Sequence, residues 1–200
     1  MVDAQVLGHR RVRPTRAGVV QRDGISPELR RVLRRPQREL LFFGSSRSND
    51  QGVHDQGLTP ERLVDVRLRR QRRLRGDNPL RVHAVIWEAA LRQMIGGPRV
   101  MRQQLEHLCA LADQPNIDVQ VLPFRAGVHS CGGGPFNILS FAESGALDVV
   151  HMDGLRSTNW VEGAEESAAY TDLFARTCAT SLSPYDSLRL IESIAKGMNE

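Results

Sequence analysis

Residues 115–123 constrain the fold more tightly than any other stretch of the chain. Pro115-Asn116 and Pro123 bracket Ile117-Asp-Val-Gln-Val-Leu122, in which Ile117, Val119 and Val121 alternate with Asp118 and Gln120. Proline has no N–H for a ladder and restricts the residue before it, so the two prolines fix the ends of this segment. Alternation with period two on β-branched residues predicts a strand with one wetter face or a place near a sheet edge. Upstream, Gly96-Gly97-Pro98 predicts a helix start with proline in the first turn, and Met101, Leu105, Leu108 and Ala112 fall on one face of that helix, which ends at Gln114-Pro115. Downstream, a glycine-rich loop from Gly127 to Pro135 leads into two more strands, Phe136–Phe141 and Leu147–Met152, joined by a hairpin around Gly145.

The remaining elements arrange themselves around this unit. Thr59-Pro60-Glu61 predicts a helix running to about Arg75, and Val82–Trp87 predicts a strand followed by a short helix, Glu88–Met94. Trp160-Val161 predicts a short strand. Glu162, Glu165 and Glu166 open a helix whose inner face is Tyr170, Leu173, Phe174, Thr177 and Cys178. Ser183-Pro184-Tyr185-Asp186 is a capped start for a last helix that buries Leu188, Ile191 and Ala195. Strands and helices interleave without a regular βαβ repeat. The expected class is α+β, with a mixed or antiparallel sheet of about four strands and helices packed on it.

Charge divides the 200 residues unevenly. Residues 1–75 hold 18 arginines and 8 acids, a net +10, whereas residues 76–200 hold 9 basic residues and 15 acids, a net −6. Residues 1–57 show no sustained periodicity: a short helix start at Ser26-Pro27, cut by Pro36, a brief apolar run at Leu40–Phe43, and linker-like Gly44–Gly52. They read as a basic leader, either a poorly structured segment, a nucleic-acid arm, or text outside the natural coding frame. The expected organisation is therefore a leader over 1–57 and an α+β domain over 58–200. No apolar run approaches the ~18 residues needed to span a bilayer, and no apolar block follows a basic start as in a signal peptide. Cys109, Cys131 and Cys178 are odd in number and irregular in spacing, which argues against a disulfide framework and for a reducing, cytoplasmic setting.

No motif names a reaction. Gly132-Gly133-Gly134 precedes a strand rather than a helix and lacks the Lys-Ser/Thr of a phosphate loop, so it reads as a loop over a pocket. His129 and Cys131 flank it. A thiol nucleophile needs a base and an orienting group, and this spacing supplies neither, while His107, Cys109, His151 and Cys178 offer no paired metal ligands. Neither a metal nor a cofactor is expected, and catalysis through the His129/Cys131 loop ranks behind a binding role. Glu88 and Arg92, four apart on a short helix, form an i,i+4 pair or line a pocket. Asp148 and Asp153, five apart on a strand, face opposite ways, and His151, Met152, Trp87 and Trp160 read as packing residues. The expected pocket lies between the sheet and helix 98–114, gated by loop 127–135, with Glu88, Arg92, His129 and Phe136 as its ligand contacts. Arg69, Arg70, Arg72 and Arg73 on the helix 60–75 are the candidate nucleic-acid contacts, unless that helix is simply a solvated face.

Several separated motifs from Gly57 onward resemble a known family. They are Leu-Thr-Pro-Glu-Arg (58–62), Arg-Leu-Arg-Arg-Gln (67–71), Glu-Ala-Ala-Leu-Arg (88–92), Ile-Gly-Gly-Pro-Arg-Val-Met-Arg-Gln-Gln-Leu (95–105), Pro-Asn-Ile-Asp-Val-Gln-Val-Leu-Pro-Phe (115–124), Gly-Val-His (127–129), Gly-Pro-Phe-Asn-Ile-Leu (134–139) and Leu-Ser-Pro-Tyr-Asp-Ser (182–187). The chain is similar, in this order, to the C-terminal domain of actinobacterial helix-turn-helix regulators of the WhiJ-like, antitoxin-like group. The resemblance implies a non-catalytic regulatory domain of undefined biochemical role that senses a small-molecule effector or a small partner protein, with homodimerisation compatible. It implies DNA binding only where a helix-turn-helix is supplied, and here the basic leader stands in that place. His151-Met152-Asp153 stands where the family tends to carry Tyr-Val-Glu.

Overall fold

The computed structural model describes residues 37–43, 60–127, 134–142, 146–153 and 158–198. Along these the elements are β1 (Gln37–Phe43), α1 (Pro60–Gln71) with a single 3-10 turn (Arg72–Leu74), β2 (Arg81–Trp87), α2 (Glu88–Arg92), α3 (Pro98–Ala112), β3 (Ile117–Leu122), β4 (Phe136–Phe141), β5 (Val149–Asp153), β6 (Thr158–Val161), α4 (Ala164–Thr180) and α5 (Pro184–Gly197). The strands form one mixed sheet in the order β3-β2-β1-β4-β5-β6. β1, β2 and β3 are parallel, whereas β4, β5 and β6 continue antiparallel from β1. The α+β class and the mixed sheet expected from sequence are found. The sheet has six strands rather than about four, because Leu40–Phe43, read only as an apolar run within the leader, belongs to β1 in its middle, between β2 and β4.

Strand periodicity decides which helix packs where. In β3, Ile117, Val119 and Val121 face one side and join Met101 and Leu105 of α3 and Ile191, Ile194 and Ala195 of α5 in one core. Val82 and Ile86 of β2 pack against the same cluster, as their in-register pairing with Ile117 and Val121 requires. On the opposite side Val85, Leu122, Phe136, Ile138 and Val150 pack with Phe174 of α4. Helices therefore cover both faces, and the two apolar clusters are the reason the sheet is stable in water.

Local chemistry sets the ends of these elements. Gly96 and Gly97 both have positive φ (+73° and +89°), which lets the chain turn sharply into Pro98 at the start of α3. Asn116 ties the crossing points together: its Nδ2 donates to the carbonyls of Leu74 (3.2 Å) and Leu80 (2.8 Å), and its own carbonyl accepts from Val82 N–H (2.8 Å). Ser183 caps α5, with its Oγ accepting from Asp186 N–H at 3.1 Å. β3 lies at the sheet edge, as expected, but Gln120 on its wetter face is buried rather than wet. Among the described residues no helix is long and apolar enough to cross a membrane.

Candidate functional site

Parallel strands deliver their C-terminal ends to the same side of a sheet. Here that side carries the β2–α2 junction and the turn after β3, with the start of α5 beside them. A depression of about 570 Å³ is lined there by Glu88, Pro123, Phe124, Arg125, Leu182, Asp186 and Leu190. Phe124 is 53% exposed at its rim, and Tyr185, next to Asp186, is 69% exposed with the Arg189 guanidinium 6.0 Å from its ring centre. Such exposure of large side chains beside a concavity is what a docking ligand would cover.

Glu88 builds the wall of this depression. It is the first residue of α2 and is buried. One carboxylate oxygen accepts from Arg92 Nε at 2.8 Å and the other from Phe124 N–H at 2.9 Å. Both charge and hydrogen-bond capacity are thus engaged across 36 residues, and the turn Phe124–Ala126 is held where it projects Phe124. Glu88 and Arg92 do pair as their spacing predicts.

The other expected contacts lie elsewhere. Phe136 is buried in the core under α4, edge-on to Tyr170 at 5.3 Å, and does not line the depression. His129 and Cys131 lie outside the described residues, as do Gly132 and Gly133 of the glycine loop. Helix α3 lines none of this depression; its Met101 and Leu105 pack in the core with α5, and its Arg102, Glu106 and Cys109 line a separate hollow of about 290 Å³ against α5. Trp87, expected in the core, is 43% exposed, whereas Trp160 is half-buried with its ring 4.4 Å from that of His151. Arg69, Arg70, Arg72 and Arg73 are all exposed, and Arg69 pairs with Asp65 at 2.8 Å.

A polar group that the sequence did not single out lies behind the depression. Gln120 Nε2 donates to the carbonyls of Leu182 (2.8 Å) and Cys178 (3.4 Å), so its Oε1 must face His83 Nε2, 2.8 Å away. An amide oxygen only accepts, so His83 carries a proton on Nε2. The same nitrogen is 3.7 Å from Cys178 Sγ. Being protonated, it cannot take the thiol proton, and the Cys178–His83 contact is not a nucleophile–base pair in this arrangement. Cys109, between α3 and α5, has its thiol pushed up from the ordinary value by burial, and further by the Glu192, Asp113 and Glu106 carboxylates. Among the described residues no group of three or more His, Cys, Asp or Glu side chains is placed to hold a metal ion.

Phe124, Asp186 and Leu182 were not expected as site residues, although each falls within a motif carrying the family resemblance. Phe124 directly follows the strand-stopping Pro123, and Leu182 and Asp186 flank the capped start of α5. Neither a curated protein nor a solved structure matches the chain. A family described as a domain of unknown function (DUF5753) matches residues 47–193, and the chain belongs to that family.

Proposed function

We propose that this domain is the effector- or partner-sensing part of an antitoxin-like, cytoplasmic transcriptional regulator, and that the depression beside Glu88 is its sensing site. One observation carries the reading: a concavity at the carboxyl ends of β2 and β3, rimmed by exposed Phe124 and held in shape by a buried carboxylate. A ligand seated there touches the turn after β3 and the start of α5 together. Because Leu182 and Ser187 also bind the edge of β3, occupancy biases how α5 sits against the sheet. An attached DNA reader would respond to that bias.

The test uses a panel of small aromatic acids and amines titrated into the full chain, followed by amide 1H–15N shifts. The expected result is a cluster of shifted signals at residues 123–126 and 182–190 that disappears in Phe124→Ala. Shifts scattered over the surface, or a cluster elsewhere that Phe124→Ala leaves intact, would overturn the assignment of this site.

A further inference from the structure

The negative body of the chain carries a concentrated positive ridge. Residues 60–75 contain seven arginines against Glu61 and Asp65, a net +5, while residues 76–200 sum to −6. Within the ridge Arg62, Arg69, Arg70, Arg72, Arg73 and Arg75 are exposed. Only Arg69 has a carboxylate partner among the described residues, Asp65. At 100° per residue Arg62 and Arg69 fall on one line along α1, with Arg70 to one side, and Arg72 and Arg73 follow on the 3-10 turn. This end of the ridge is fixed to the domain, because Leu74 packs against the core, Leu80 N–H donates to Arg73 C=O at 2.8 Å, and Asn116 donates to Leu74 C=O. The arginines around Leu74 therefore sit on a braced turn and lose less freedom on binding than the same residues in a loose tail.

We propose that α1 and the turn that follows it bind the phosphate backbone of duplex DNA, independently of the sensing depression. Guanidinium forks match phosphate oxygens in pairs. The 12-residue helix is about 18 Å long, enough to meet several phosphates of a strand. Single-stranded nucleic acid would call for stacking rings, and residues 60–75 contain no Phe, Tyr, Trp or His. A membrane surface would call for aromatic anchors, and residues 60–75 contain none. Charge alone, on a helix that runs into a braced turn, suits a duplex backbone.

The experiment measures binding of the full chain to a fluorescent 20-base-pair duplex of mixed sequence between 50 and 200 mM salt. With about four phosphates neutralised, affinity should fall by about 100-fold over that range. The quadruple variant R69A/R70A/R72A/R73A should lower the log–log salt slope by about three to four, whereas R69K/R70K/R72K/R73K should keep most of it. Circular dichroism of both variants should be unchanged, since all four side chains are exposed. Anionic phospholipid vesicles and a single strand of the same length are the competing ligands. No duplex binding at 50 mM salt overturns the proposal. So does a slope that the alanine variant leaves within one unit of wild type, which would assign binding to arginines elsewhere. So too does stronger binding to the vesicles or to the single strand than to the duplex.

Discussion

Ser187 Oγ accepts the main-chain N–H of Val121 at 2.8 Å, a buried bond between the first turn of α5 and the edge strand β3. A second bond completes the closure of the sheet edge at Val121: Leu182 N–H donates to Val121 C=O at 2.9 Å, so both polar groups of Val121 on the open side are satisfied. An uncovered edge invites pairing with another chain. Replacing Ser187 with alanine leaves a buried N–H without an acceptor. We expect Ser187→Ala to cost about 1–3 kcal/mol in urea unfolding. A loss within 0.5 kcal/mol of zero would mean that water replaces the hydroxyl.

Gln120 bridges that same strand to His83 and to the α4–α5 connection. In the neutral imidazole the proton should reside on Nε2, and its 15N-coupled signal should be visible because Gln120 shields it from exchange. Gln120→Leu leaves the Leu182 carbonyl and His83 Nε2–H without this partner, so stability should fall by about 2 kcal/mol or more and the imidazole signal should vanish by exchange. A neutral Nδ1–H form would instead require the Gln120 amide to be flipped, with its NH2 toward His83.

Glu88 and Arg92 are partners of unequal weight. The Arg92 side chain is 48% exposed and that of Glu88 only 10%. Arg92→Ala should therefore cost under about 1 kcal/mol. Glu88→Ala removes the acceptor of Phe124 N–H as well and should cost about 1–3 kcal/mol. It should also broaden or shift the amide signals of residues 124–126, while Arg92→Ala leaves them in place.

Phe136 and Phe124 separate core from site. Phe136 is 2% exposed between Ile138 and Tyr170, so Phe136→Ala should cost about 3–5 kcal/mol in thermal or urea unfolding. Phe124→Ala, at an exposed position, should change stability by no more than about 0.5 kcal/mol. Equal costs for the two would place Phe124 in the core and empty the rim of meaning.

Cys109 gives a pH signature. Its raised thiol means that the folded protein holds this proton more tightly than the unfolded chain does. The contribution to stability is complete below the unfolded value and is lost as pH rises through the folded one. Alkylation of Cys109, followed by mass spectrometry, should keep accelerating at pH values where a free cysteine has levelled off. Glu192→Gln should shift that profile down in pH; an unmoved profile would leave burial with the Asp113 and Glu106 carboxylates as the cause.

Local sequence determined the ends and faces of most elements. Pro115 and Pro123 bracket β3, Ser183 and Pro184 start α5, and the apolar spacing of α3 and α4 names their buried sides. These features are set by backbone sterics and side-chain period, which act within one turn or a few residues. Tertiary structure decided the rest. β1 has no period of its own that marks it as central; it becomes so only because β2 and β4 pair with its two edges. Gln120 reads as a wet position until α4 and the 181–183 connection close over it and supply two carbonyls. Phe136 and Phe124 are both aromatic residues next to a proline, and nothing local tells them apart. One is roofed by α4, whereas the other is held out at a strand end by Glu88, 36 residues upstream. Burial depends on what the chain brings back from far along the sequence, and that is why the core helices were legible and the site was not.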